Sequence, residues 1–130
     1  MTTLDTVIVG AGQAGLGVSY YLKRDGRQHI VFERGRIGES WLSQRCDSFK
    51  LNTPNFMNVL PGLHCDGSES DGFWRPDELV HYFQRYVEHF PLPVRTGVTV
   101  VSEPVHPATG RRSHRFDLDR PDYWETMQTV

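Results

Sequence analysis

Thr6-Val7-Ile8-Val9-Gly10-Ala11-Gly12-Gln13-Ala14-Gly15 decides the fold. The β-branched apolar run from Leu4 to Val9 reads as a buried strand and stops at a glycine cluster. The cluster has the spacing G-x-G-x-x-G, which is weak alone and informative between a strand and a helix. Apolar Ala14, Val18, Tyr21 and Leu22 recur at helical spacing and make that helix. Asp25-Gly26 ends it, with Lys23 and Arg24 in the last turn, where cations complement the macrodipole. His29 to Glu33 is a second strand, so the stretch is a βαβ unit.

In such a unit each glycine has a task. Gly10 permits the tight turn, Gly12 lets a pyrophosphate approach the backbone, and Gly15 lets helix and strand pack closely. The helix N-terminus, opening through Ala11, Gln13 and Ala14, presents N–H groups and a partial positive charge to phosphates. Glu33 follows at the end of the second strand, about 20 positions on, where a carboxylate grips the ribose hydroxyls of an adenine dinucleotide. A carboxylate there repels a 2′-phosphate, which points to FAD or NAD rather than NADP. Arg34 beside it reads as a solvated or adenine-stacking neighbour.

Outward from this unit, residues 34–75 carry Gly35, Gly38, Pro54, Pro61, Gly62 and Gly67 with little periodicity. They read as a long irregular insertion, of the kind that is often functional. A helix begins at Pro76, with Asp77 and Glu78 in its first turn. Leu79, Tyr82, Phe83, Tyr86 and Phe90 form its apolar stripe, and Pro91 stops it. Val98 to Val101 and His114 to Leu118 read as strands around a turn at Pro107 to Gly110. Met127 to Val130 reads as the beginning of a further strand.

The bulk properties agree with one α/β domain over 1–130. The chain has 130 residues, 38% hydrophobic and 23% charged, with a net charge of −2, so nothing marks a nucleic-acid or membrane surface. No apolar run approaches the ~20 residues of a membrane span, and Met1 to Asp5 lacks the features of a signal peptide. Two cysteines, Cys46 and Cys65, make no disulfide scaffold and leave the cytoplasm as the expected compartment. Their spacing gives no support to a dithiol reductase. Neither His64-Cys65-Asp66 nor His81 with His89 has the spacing of a metal site, so no metal is expected. Arg111-Arg112-Ser113-His114-Arg115 is followed by Asp117 and Asp119 and reads as a solvated hairpin.

Together Thr6 to Gly15, Phe32-Glu33-Arg34, Gly38-Glu39-Ser40-Trp41 and Leu51-Asn52-Thr53-Pro54 resemble flavin-containing monooxygenase-like FAD oxidoreductases. The resemblance implies a Rossmann-like FAD/NAD(P)-binding domain, with a parallel sheet, a crossover helix and a small β-hairpin or meander. It implies that Gly38 to Trp41 runs along FAD and that the segment from Leu51 to Pro54 lies near the flavin. Trp41, Asn52 and Thr53 are then expected on the flavin side, Arg45 in the same wall, and Val98 at the adenine through its backbone. Phe49 and Phe56 are of the residue types such a slot requires.

The family's activity would be NADPH-driven transfer of one oxygen atom from O2 to a small-molecule substrate. The cofactor supplies that chemistry, so no catalytic acid or base is assigned. The departures concern the second half. Thr96-Gly97 and Thr109-Gly110 are isolated glycines, so the NADPH fingerprint is lacking, as is the histidine-containing fingerprint of the monooxygenases. Position 42 is Leu and position 46 is Cys, where the resemblance leads one to expect bulkier or basic residues. Residues from Trp124 to Val130 enter what would be the closing strand, so the fold is expected to lack it. A C-terminal half or an oligomer partner would complete such an enzyme. A non-oxygenating flavin oxidoreductase and a dinucleotide-binding module without turnover remain the alternatives.

Overall fold

The computed structural model describes residues 4–43, 50–65, 67–102, 107–110, 113–117 and 126–128. Strand β1 (Thr6–Val9), helix α1 (Gln13–Arg24) and strand β2 (His29–Glu33) form the βαβ unit. The two strands pair in parallel, Thr6 opposite His29 and Val9 opposite Phe32. Strand β3 (Val94–Thr96), which has no clear signal in the sequence, pairs in parallel with β2, giving the order β1-β2-β3. Strands β4 (Thr99–Ser102), β5 (Ser113–Asp117) and β6 (Thr126–Gln128) make an antiparallel meander. The residues expected to enter a closing strand are thus, over Thr126–Gln128, the third strand of the meander, paired with β5.

The alternation of side chains along β1 and β2 divides the interior in two. Ile8 and Val31 face the larger core, shared with Leu16, Leu79, Tyr82, Phe83 and Tyr86. Val7, Ile30 and Phe32 face the other way and pack with Val98 and Val100. The parallel sheet is therefore a middle layer between helices and meander. Strand β1 is less buried than its composition suggests: it stands at the edge of the sheet, and Val9 is 66% exposed.

Helix α1 also turns a different face inward. Ala14, Val18 and Tyr21 are exposed, whereas Leu16 and Ser19 are fully buried. The reason lies at Gly15, where a Cβ would collide with the carbonyl oxygen of Gly10 and come within 3.3 Å of Ile8 Cγ2. Close packing there rotates Leu16 and Ser19 toward the sheet, overriding the alternative apolar stripe. Ser19 satisfies its hydroxyl against His29 Nε2 at 2.7 Å. Gly15→Ala is therefore expected to destabilise the fold by about 2–3 kcal/mol, the scale of overpacking against a rigid neighbour. A urea midpoint equal to that of the parent chain would refute the close-approach argument.

The insertion contains short helices, α2 (Glu39–Ser43) and α3 (Asn55–Asn58), and a 3-10 turn over Gly67–Glu69. Buried Asn55 organises the latter part, donating to the Glu69 carbonyl and accepting the Trp74 N–H, each at 2.7 Å. Helix α4 (Pro76–His89) follows, its start fixed by the Arg75 N–H donating to the Glu78 carboxylate at 2.8 Å. Its stripe is as expected, with Leu79, Tyr82, Phe83 and Tyr86 buried and Phe90 partly so.

The tyrosine hydroxyls hold the segment that crosses α4. Tyr82 accepts the Leu60 N–H at 2.8 Å, and Tyr86 donates to the Pro61 carbonyl at 2.6 Å. Burial pushes both phenols above the usual tyrosine range, Tyr86 far above it. The folded state thus keeps protons that the unfolded chain releases near pH ~10. Stability is expected to be unaffected below that pH and to fall above it. Tyr86→Phe should cost about 1 kcal/mol at neutral pH and make the fall above pH ~10 shallower. Parallel melting-temperature profiles would refute this assignment.

Candidate nucleotide site

The mouth of the glycine turn opens into a cavity of about 400 Å³. Val9, Gly10, Gly12, Phe32, Glu33 and Arg34 line one part of it, and Gly38 to Ser40, Ser43 and Val98 to Val100 line the rest. The chain reaches this shape because β1 and β2 end side by side. Gly10 N–H donates to the Phe32 carbonyl at 2.7 Å, and Gly10 then turns with φ +100°, a conformation open to glycine at low cost. Gly12 precedes α1 in an ordinary extended conformation, φ −99°, so its backbone does not demand glycine. A Cβ on Gly12 would meet no heavy atom within 4 Å. The space beside Gly12 is thus cavity, and no side chain caps the start of α1.

Glu33 ties the turn together. Its Oε2 accepts the N–H of buried Ala11 at 2.8 Å, and its Oε1 accepts the N–H of Gly35 at 3.0 Å. Each carboxylate oxygen therefore retains lone-pair capacity toward the cavity while its position is set by a backbone donor. Gly38 N–H donates to the Ala11 carbonyl at 2.9 Å, which brings the start of α2 onto the same turn. Gly38 is close to α4: a Cβ there would come 2.9 Å from Val80 Cγ2. Val98 is buried and gives its N–H to the Glu33 carbonyl at 3.1 Å, so any further backbone contact it makes falls to its carbonyl.

Of the residues singled out in the sequence, Gly10, Gly12, Glu33, Arg34 and Val98 come together on this cavity. Ala11 and Gly15 stand behind it, while Gln13 and Ala14 are exposed on the first turn of α1. Trp41, Asn52 and Thr53 are not on its wall. Trp41 packs partly against the main core, Asn52 is exposed, and Thr53 donates its hydroxyl to Asn58 Oδ1 at 2.8 Å. Arg45, Phe49 and Cys46 lie outside the described residues. Cys65 is half-buried against the core. Glu39 and Ser40 join the wall as the middle residues of the Gly38-Glu39-Ser40-Trp41 stretch, whereas Ser43 and Thr99 join it without a motif of their own.

Among the described residues there is no group of three or more His, Cys, Asp or Glu that could hold a metal ion. No helix among them is long and apolar enough to cross a membrane.

Residues 7–110 match the pyridine nucleotide-disulphide oxidoreductase family. The chain belongs to that family. A Bacillus subtilis protein named as the uncharacterized oxidoreductase CzcO is 39% identical over 99 residues, 75% of this chain and 28% of that protein. The probable indole-3-pyruvate monooxygenase YUCCA7 of Arabidopsis thaliana is 32% identical over 97 residues, 74% of this chain and 22% of that protein. This chain therefore spans about a quarter of the length of these relatives.

The fold is that of Rossmann-type flavoenzymes. A flavin-containing monooxygenase from Stenotrophomonas maltophilia superimposes with a TM-score of 0.73 at 22% identity, covering 98% of this chain and 36% of that one. A bacillithiol disulfide reductase from Staphylococcus aureus gives 0.75 at 19% identity, covering 92% and 35%. The shared architecture is thus common to enzymes of differing chemistry.

Proposed function

We propose that residues 1–130 form the FAD-binding domain of a flavin-dependent monooxygenase. The observation that carries this reading is the cavity at Gly12: a glycine without backbone need leaves open space at an uncapped helix start, opposite a carboxylate fixed by two N–H donors. Those features suit the pyrophosphate and the ribose of an adenine dinucleotide. Gly10, Gly12 and the first turn of α1 would hold the phosphates, and Glu33 the ribose hydroxyls. Arg34 and Val98 would flank the adenine. The four-stretch sequence resemblance, together with the named monooxygenase relative, favours FAD over NAD and an oxygenating reaction.

FAD supplies electron transfer and oxygen activation when bound; the chain's residues bind and orient it. Ala11 and Gly35 hold Glu33 in place, and Gly38 seats the next segment beside the phosphates. Trp41, Arg45, Asn52 and Thr53 are assigned to the flavin side by family resemblance. NADPH is the proposed reductant, with its site and that of the small-molecule substrate outside these 130 residues, in a cytoplasmic enzyme.

The test is an absorbance spectrum of the purified chain, then titration with FAD and with NAD as the control. Flavin bands, or tight FAD binding with weak NAD binding, are expected. Binding of NAD in preference to FAD would replace this reading with a nicotinamide site, and binding of neither would remove the dinucleotide assignment.

A further inference from the structure

The cavity beside Glu33 carries a second carboxylate. Glu39 opens α2 and lines the same wall. Arg36 fixes it: Nε donates to Oε2 at 2.6 Å, Nη2 donates to Oε1 at 3.1 Å, and the Arg36 backbone N–H donates to Oε2 at 3.1 Å. These bonds hold the Glu39 carboxyl below the usual carboxylate range, so it remains charged at neutral pH. The Glu39 side chain lies over Gly35, where a Cβ would come 2.8 Å from its Cγ. Gly35 donates its N–H to Glu33 Oε1 at 3.0 Å. The two carboxylate side chains thus approach the same glycine, and its lack of a side chain makes room for Glu39.

We propose that Glu39 is a second determinant of cofactor choice, excluding with Glu33 any adenosine that bears a 2′-phosphate. The inference rests on the dinucleotide reading of this cavity. Gly35 touches both side chains, so a ribose held by Glu33 would come within reach of Glu39. A hydroxyl is a donor and suits these acceptor-only oxygens, whereas a phosphate dianion meets the charge of Glu33 and the lone pairs of a Glu39 carboxylate whose charge Arg36 offsets only in part. Arg34 is the one cationic side chain on the wall among the described residues, and it is exposed. The guanidinium of Arg36 is engaged by Glu39 through a two-bond pairing and is not on the wall. Glu39 therefore keeps the Arg36 guanidinium in a pair and presents acceptor-only oxygens of its own to the cavity.

The experiment is calorimetric titration of the purified chain with ADP and with adenosine 2′,5′-bisphosphate at low salt. The measured quantity is the ratio of the two dissociation constants, bisphosphate over ADP. Glu39→Gln keeps the size of the side chain and should lower that ratio about tenfold. Arg36→Gln removes the counter-charge and should raise it, which keeps the test open if the first variant folds poorly. A ratio unmoved by Glu39→Gln overturns the proposal, as does a ratio lowered by Arg36→Gln. Loss of both nucleotides in a folded Glu39→Gln chain also overturns it, by making Glu39 structural. If the parent chain binds ADP, these results bear on Glu39 alone. If the parent chain binds neither nucleotide, the dinucleotide reading itself fails and takes the inference with it.

Discussion

Gly12→Val is expected to reduce binding of FAD by at least about a hundredfold, the scale on which a blocked approach costs several kcal/mol, while leaving the unfolding midpoint within a few degrees. The two halves of that expectation come from different observations. An added Cβ at Gly12 meets no protein atom within 4 Å, so the folded chain has room for the substitution. The backbone at φ −99° is open to a β-branched residue, so no strain is introduced. The room it fills is the cavity itself, at the start of α1, where a pyrophosphate would need direct contact with backbone N–H groups. Flavin absorbance after gel filtration, with a thermal melt of the same sample, measures both quantities. Retained flavin at full occupancy would place the phosphates elsewhere. A collapse in stability would show that Gly12 serves packing, as Gly15 does.

The contrast between these glycines separates what local sequence signals dictate from what long-range packing decides. The strand–turn–helix–strand unit was legible because local signals agreed: a β-branched run, a glycine pattern and a helical period. Helix α4 was equally plain, since Pro76, two acids and a five-residue apolar stripe all mark one helix. The inward face of α1 was not. Val18 and Tyr21 fit a stripe as well as Leu16 and Ser19 do, and only the contact of Gly15 with Gly10 selects between them. Helices α2 and α3 are too short for a period to register, and long-range bonds such as Gly38 to Ala11 and Asn55 to Trp74 help position them. Strand β3 spans three residues and gains its identity from pairing with Val31 to Glu33. For the site, the glycines and Glu33 could be named from spacing. Glu39 could not, because its place depends on Arg36 and on the bare Cα of Gly35.

Glu33→Ala is expected to weaken both the fold and the nucleotide, and the two losses have separate origins. In the folded chain the carboxylate accepts from Ala11 and Gly35, residues 22 positions and 2 positions away in sequence. Ala11 is fully buried, so its N–H would lose its carboxylate partner where water has poor access. An unsatisfied buried donor costs about 1–3 kcal/mol, and a loss of that size should appear as a lowered denaturant midpoint. Binding should weaken by a further ~1–3 kcal/mol, the scale of hydrogen bonds to a charged group. Glu33→Gln separates the terms. Its amide has one acceptor oxygen and an NH2 that donates, so it can satisfy Ala11 or Gly35 but faces the other with a donor. It should therefore recover part of the stability of the alanine variant while still binding adenine nucleotides more weakly than the parent. Denaturant titration, with ADP affinity measured on the same folded samples, decides the matter. Full affinity in either variant would mean that the ribose does not sit on Glu33. Full stability in both would mean that the bonds to Ala11 and Gly35 do not hold the turn, and that the rigidity of the site comes from the close packing at Gly15 instead.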